Sequence, residues 1–393
     1  MRKKVAVLLP WLKMGGTNKV ALRFIKQLIA YCDVTLILSQ NKGELFDEVP
    51  SGVTVIIDKM QDFKDIFKDD LRGFRLRYLI KDLIYYAKIK FGQDDIDNYR
   101  YLVERHSFVS EDEFDCAITY HGQSPERLLN LIYRIHAKKK VAWIHGEMSF
   151  SQKTCDKMSK YYKTLDHFFF VSNPTMMSFQ KMIGVEAGKC KCTVYYNPID
   201  KTEILYLAEQ PMDVVFRKDQ YNLLTVGRIS SEKGQDMIPQ IVSKLLNQGL
   251  DVCWYIVGEG DNRKTVEELI EKFKVQDHVR LLGTKINPYS YMKHCDLYVQ
   301  PSYTEGYSTT ICEAGILGKA IIGTKPSGGI RDQITDGKDG LIVDATVNGL
   351  TEAVKYLLKN ESLRVQFANR ILNKNFEGNG EIMKFLLYLE SDE

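Results

Sequence analysis

An α/β architecture of two doubly wound parallel sheets follows from three features of this sequence. The chain has 393 residues, and single hydrophobic cores stop growing at about 250–300 residues, so two domains are expected. Short, fully apolar runs recur through both halves. Each is followed by a glycine-bearing turn and an amphipathic helical stretch. Strands without polar alternation are buried on both faces, and such strands separated by helices build parallel sheets.

In the first half the predicted strands are Val5–Leu9, Val34–Leu38, Val53–Ile57, Cys116–Thr119, Lys140–Ile144 and Phe168–Val171. Tyr195-Tyr196-Asn197-Pro198 reads as a strand leaving the first domain. In the second half they are Asn222–Val226, Cys253–Val257, Val279–Leu282, Leu297–Val299, Ala320–Gly323 and Gly340–Val343. The resulting division is a first domain over 1–200, a polar linker over 201–220 and a second domain over 221–375. A tail over 376–393 contains the helical stretch Ile382–Leu389, expected to pack back on the first domain.

A hydrophobic fraction of 44% with 27% charged residues excludes long disordered stretches. A formal charge of +3 excludes the whole-chain basic excess of many nucleic-acid binders. The eight cysteines contain no CxxC pair, only Cys190-Lys191-Cys192, so neither a zinc knuckle nor a redox dithiol is indicated. The apolar run after Met1-Arg2-Lys3-Lys4 ends at Pro10 with no small-residue cleavage site, which suits a buried strand better than a secretory leader. No run of about 18 apolar residues occurs. Reduced thiols and a cytoplasmic location are expected. Segment 63–92 mixes aromatics with Lys64, Lys68, Arg72, Arg75, Arg77, Lys81, Lys88 and Lys90. A solvated surface helix is the favoured reading. The alternative is a basic amphipathic helix on the anionic inner face of the plasma membrane.

Three clusters carry chemistry. Gly15-Gly16-Thr17 follows the first strand and opens a helix, where glycines admit close backbone approach and free amides face an anion. The spacing is not the GxGxxG dinucleotide fingerprint, which counts against a nicotinamide enzyme. Gly227-Arg228 and Lys233-Gly234 follow the strand that ends at Val226. Two cations at a strand's carboxyl end suit phosphate oxygens. The third cluster runs from Pro301 to Ala314 and places Glu305 in a loop and Glu313 in the early turn of a helix. An anion site between two carboxylates suits a ligand with hydroxyls at both ends and phosphates in the middle, such as a nucleotide-sugar.

With its Glu305…Glu313 spacing, the sequence resembles the retaining glycosyltransferases of family 4, which carry an E-x7-E motif. The resemblance extends over Gly15-Gly16-Thr17, Trp143-Ile144-His145-Gly146, Val171-Ser172, Asn197-Pro198-Ile199-Asp200, Val226-Gly227-Arg228 through Lys233-Gly234, Val257-Gly258-Glu259-Gly260, Leu282-Gly283 and Gly328-Gly329. It implies the GT-B fold, two Rossmann-like domains with a cleft between them. Arg228 and Lys233 would neutralise the donor diphosphate, and Glu313 would hold the ribose hydroxyls. Glu305 would bind hydroxyls of the transferred sugar, and Gly306, Tyr307 and Ser308 would offer backbone amides. His145 would sit beside the donor sugar, and Gly16 would let the first domain close over the phosphates. Gly15, Thr17, Gly227, Gly283 and Thr309 complete the implied donor-binding set.

The implied activity is metal-independent retaining transfer of a hexose or N-acetylhexosamine. The donor would be a UDP-sugar ahead of GDP-mannose. The acceptor would be a glycan or lipid-linked glycan in cell-surface polysaccharide synthesis, with no cofactor and no nucleic-acid partner. Asp95-Ile96-Asp97 spells the DxD metal motif, but in a charged, non-strand stretch. Two alternatives remain. One is a nucleotide-sugar 2-epimerase of similar fold, which would act without an acceptor. The other is an inactive nucleotide-binding partner subunit, which would bind donor without consuming it.

Overall fold

The computed structural model describes residues 2–41, 43–58, 84, 87, 96–104, 110–146, 152–184, 191–325, 328–376, 378 and 380–391. The chain divides into two compact units, Met1–Tyr196 with Asn379–Glu393, and Asn197–Gly378. All but residues 84 and 87 of the basic segment 63–92 lie outside the described residues, as do Asp95 and Cys190.

In the first unit the strands are β1 (Lys4–Leu9), β2 (Asp33–Leu38), β3 (Thr54–Ile57), β4 (Phe114–Thr119), β5 (Ala137–Ile144), β6 (His167–Phe170) and β7 (Cys192–Val194). Their order is β3-β2-β1-β4-β5-β6-β7, and every pair is parallel. Helices α1 (Gly16–Leu28), α2 (Ile96–Glu104), α3 (Pro125–Arg134), α4 (Gln152–Tyr162) and α5 (Asn173–Ile183) connect them. The strand expected at Tyr195–Pro198 is displaced: the edge strand is β7, and residues 195–200 are irregular. β7 is only three residues long and half-buried, so its apolar signature is weak.

The second unit starts with α6 (Lys201–Ala208), followed by β8 (Tyr221–Val226), α7 (Ile238–Asn247), β9 (Val252–Val257), α8 (Arg263–Phe273) and β10 (Val279–Leu281). It continues with α9 (Tyr289–His294), β11 (Leu297–Gln300), α10 (Thr309–Ile316), β12 (Ile321–Thr324), α11 (Ile330–Gln333), β13 (Leu341–Val343), α12 (Val347–Lys359) and α13 (Glu361–Leu372). Its parallel sheet has the order β10-β9-β8-β11-β12-β13. All six residues of β9 are buried, because alternate side chains enter two separate cores. Leu223, Trp254 and Val299 pack under α7, α8 and α12, and Leu224, Tyr255 and Tyr298 pack under α6, α9 and α10.

The segment read as a linker, 201–220, is instead part of this unit. Asp200 caps α6 by accepting from the Glu203 amide at 2.9 Å. Ile204, Ala208 and Phe216 enter the core, and Phe216 stacks on Tyr255 at 4.2 Å. Several of the charges that made the segment look like a linker are paired, as in Lys285 with Asp213 and Lys293 with Glu209. The last helix, α14 (Glu381–Glu390), belongs to the first unit. Phe385 meets Phe24 of α1 edge-on at 5.3 Å, and Lys384 donates to the Val194 carbonyl at 3.0 Å.

Both sheets reverse direction of growth once, between β1 and β4 and between β8 and β11. At such a switch point the loops leaving the strand ends part, and ligands bind outside the carboxyl edge. Among the described residues no helix is long and apolar enough to cross a membrane.

Candidate active site

In the second unit the loops after β8 and β11 are fastened to each other. The Tyr303 and Thr304 amides donate to the Glu232 carbonyl at 2.8 and 3.3 Å. Gly234 has φ +69°, and a Cβ there would collide with the Pro301 carbonyl oxygen. The position therefore requires glycine for both space and backbone conformation.

This fastening brings Lys233 to Glu305. The ammonium donates to both carboxylate oxygens at 2.8 Å each, with the two side chains 21% and 11% exposed. Glu305 Oε2 also accepts from Ser302 Oγ at 3.2 Å. Behind it, buried Gln300 donates to Ser302 Oγ at 2.9 Å and accepts from Tyr298 OH at 2.8 Å and Thr310 Oγ1 at 3.2 Å. Gln300 and Ser302 are functional candidates that motif reading missed. The available signal was a polar residue closing the otherwise apolar run Leu297-Tyr298-Val299.

Arg228 stands apart from that pair. Its side chain is 68% exposed and meets Glu232 Oε1 at 2.6 Å. Burial pushes the Glu232 carboxyl up, but bonds from its own amide, Ser230 and Arg228 outweigh this and hold it below its ordinary value. Gly227 bonds back to the Val257 carbonyl at 2.9 Å, and Gly283 accepts from the Gly258 amide at 2.8 Å. They follow the carboxyl ends of β8 and β10, the two strands that flank β9.

Glu313 is buried within α10 and accepts from the equally buried Tyr289 hydroxyl at 3.2 Å. Thr309 opens that helix, with Ser308 at its cap making no side-chain capping bond. Tyr307 lies half-buried beside Cys312, its hydroxyl 3.5 Å from the thiol. One expectation is corrected here. The Ser308 amide is not free for a ligand, because it donates to Gln333 Oε1 at 3.2 Å while Gln333 Nε2 donates to the Ser308 carbonyl at 2.6 Å. Gln333 is fully buried and clamps this turn from α11. Gly306 is buried against Gly329, where a Cβ would strike the Gly306 carbonyl.

In the first unit, Gly15 and Gly16 are exposed at the start of α1, Thr17 is half-buried, and no acidic residue occupies the first turn. The loop before them is held from behind. Leu45 donates to the Leu12 carbonyl at 2.9 Å, and the Met14 amide donates to Glu44 Oε2 at 2.8 Å, which lowers the Glu44 pKa. His145 follows β5 and stacks on Trp143 with the rings 10° from parallel. Its Nε2 is buried without a hydrogen-bond partner. Desolvation, then nearby His121, drops its pKa well below the ordinary imidazole value, so it is neutral at pH 7. Asp97 is ion-paired to Lys157 at 2.7 Å. Among the described residues no group of three His, Cys, Asp or Glu is placed to hold a metal ion.

With this geometry described, comparison with known proteins is informative. Residues 208–374 match the family model described as "Glycosyl transferases group 1". The matched stretch contains Arg228, Lys233, Glu305 and Glu313 together. A Campylobacter jejuni N-acetylgalactosamine-N,N'-diacetylbacillosaminyl-diphospho-undecaprenol 4-alpha-N-acetylgalactosaminyltransferase is 28% identical over 46% of this chain and 48% of its own length. The Staphylococcus aureus capsular polysaccharide biosynthesis glycosyltransferase CapM is 27% identical over 37% of this chain and 39% of its own. The chain thus spans about half the length, or less, of these curated relatives. The crystal structure of Anabaena Alr3699/HepE in complex with UDP and glucose superposes with a TM-score of 0.72 at 17% identity, covering 99% of this chain and 100% of that one. Two parallel, doubly wound sheets, each Rossmann-like, make the GT-B fold.

Proposed function

We propose that this protein is a retaining glycosyltransferase. It moves a hexose or N-acetylhexosamine from a nucleoside diphosphate sugar, with uridine favoured, to a glycan or lipid-linked acceptor in cell-surface polysaccharide synthesis. The observation that carries the reading is the Lys233–Glu305 pair at the switch point of the second sheet. A cation for phosphate and a carboxylate for sugar hydroxyls stand there in contact. The UDP and glucose of the Anabaena structure and the diphospholipid acceptor in the Campylobacter protein's name support it by likeness.

Glycosyl transfer builds positive charge on the sugar and negative charge on the departing diphosphate. Lys233, Arg228 and the amino end of α10 take up the negative charge. Glu305 holds sugar hydroxyls, and Glu313 holds ribose. Neutral His145 hydrogen-bonds the donor sugar without adding charge. The acceptor attacks on the face the diphosphate leaves, which retains configuration, and a diphosphate oxygen assists in removing the acceptor proton.

A thermal-shift panel of nucleotide-sugars tests this reading, because a ligand at a hundred times its Kd stabilises by about 2.7 kcal/mol. UDP-sugars are expected to raise Tm above the shift given by GDP-mannose. A panel without any shift would overturn the proposal. Once a donor is known, transfer is expected to survive EDTA, since cationic side chains occupy the phosphate position. Complete loss on chelation, restored by manganese, would instead direct attention to Asp95 and Asp97.

A further inference from the structure

Arg127 lies in the first turn of α3, just beyond the carboxyl end of β4. It is 8% exposed. Among the described residues its guanidinium meets two groups: Nη1 donates to Ser39 Oγ in the loop after β2, and lies 3.8 Å from Glu126 Oε1. Asp58, the other carboxylate acting on it, is committed to Arg134, with Nη2 to Oδ1 at 3.0 Å. A guanidinium has five donors, and a buried charge is stable only when paired and hydrogen-bonded. Arg134, two turns along the same face of α3, meets that condition; Arg127 does not. Burial accordingly outweighs its neighbours and pulls its pKa below the ordinary guanidinium value.

Two polar atoms of the loop between β4 and α3 also lack partners among the described residues. His121 Nε2 and Gln123 Oε1 are buried without a hydrogen-bond partner. Burial and then the Arg127 charge lower the His121 pKa to about 4, so the ring is neutral and available as a donor. The amino end of α3 carries no side-chain cap. All of this lies at the carboxyl edge of the first sheet, among the loops that follow β2 and β4, where ligands of such sheets bind. Glu126 has a 28% exposed side chain, so an arriving anion can displace it toward water.

We propose that Arg127, His121 and the uncapped amino end of α3 form a phosphate-binding subsite on the first unit, which takes the phosphate or diphosphate of an anionic acceptor. The assignment to the acceptor rests on the function proposed above. The buried cation is retained at a cost to the ligand-free protein and is neutralised when the phosphate arrives.

Three measurements on the full chain test it. In phosphate-free buffer, Arg127→Met is expected to raise Tm by about 2–4 °C, since a buried, poorly paired charge is exchanged for an apolar side chain of similar volume. A lowered Tm would mean a structural arginine and would overturn the subsite. Second, inorganic pyrophosphate is titrated into protein saturated with UDP, so that the second unit's cations are occupied. The native protein should bind it, Arg127→Met at least tenfold more weakly, and Arg127→Lys in between. Equal binding by native and Met proteins, or none, overturns the proposal. Third, vesicles carrying a polyprenyl diphosphate are compared with neutral phosphatidylcholine vesicles. Arg127-dependent retention on the former assigns a lipid-borne diphosphate. Pyrophosphate binding without that retention assigns a soluble phosphorylated acceptor. If UDP itself does not bind, the donor reading fails, while the ligand-free Tm comparison still decides the subsite.

Discussion

Lys233→Ala is expected to lower kcat by roughly 10²–10³, the loss seen when a donor to a developing oxyanion is removed. The proposed role places the ammonium on the diphosphate, whose charge grows as the glycosidic bond breaks. An interaction that strengthens toward the transition state acts on turnover more than on binding. The geometry makes Lys233 the more sensitive of the two cations. It is 21% exposed and held by two 2.8 Å bonds, whereas Arg228 is 68% exposed beside Glu232. Electrostatic contacts weaken toward bulk water, so Arg228→Ala should lose less. Among the described residues, removing Lys233 also leaves the Glu305 carboxylate, 11% exposed, accepting from Ser302 Oγ at 3.2 Å and from the more distant Gln300 Nε2 at 3.5 Å. Steady-state kinetics with the donor found by the nucleotide-sugar panel provide the check. An unchanged kcat in Lys233→Ala would remove Lys233 from the mechanism.

Glu313→Ala is expected to raise donor KM by about ten- to a hundredfold with a smaller change in kcat. Charge-assisted hydrogen bonds contribute roughly 1.5–3 kcal/mol, and each 1.4 kcal/mol is tenfold in affinity. Ribose changes little during the reaction, so its contacts count equally in ground and transition states. The truncation has a structural cost as well. Tyr289, 3% exposed, would lose its 3.2 Å hydrogen bond to the Glu313 carboxylate, and a hydrogen bond to a charged group contributes about 1.5–3 kcal/mol. Glu313→Gln keeps an acceptor for Tyr289 while removing the charge. The KM effect should therefore persist in Gln, with Tm closer to native. Abolished kcat with unaltered KM would remove Glu313 from the ribose.

Much of the fold was legible because most strands contain a continuous apolar run and most helices are amphipathic. β9, with six buried residues, is the plainest case. Reading failed where burial was partial. β7 is a half-buried edge of three residues, and 201–220 carried charges whose partners, such as Lys285 for Asp213, lie far along the chain. At the candidate site, residue types at strand ends marked Arg228, Lys233, Glu305 and Glu313. Gln300 offered only a polar end to an apolar run and Gln333 no signal, because an amide becomes a clamp only when a turn from another element is packed against it. Gln333 holds both the amide and carbonyl of Ser308, a residue 25 positions away.

By itself, then, the sequence determined the alternation of strands and helices, the two-sheet architecture, and which charged residues stand at carboxyl ends of strands. Those are local properties: period, apolar run length and the residues that end each run. Only the tertiary structure decided how the charges are shared. Because β8 and β11 are neighbours in the sheet, Lys233 meets Glu305 across 72 positions of chain, while Arg228 is left in solvent. Because β3 ends beside α3, Asp58 is committed to Arg134, and Arg127 is left buried with its charge poorly met. Pairing of this kind depends on strand order and on competition for the same partner, and neither is written in any local stretch of residues.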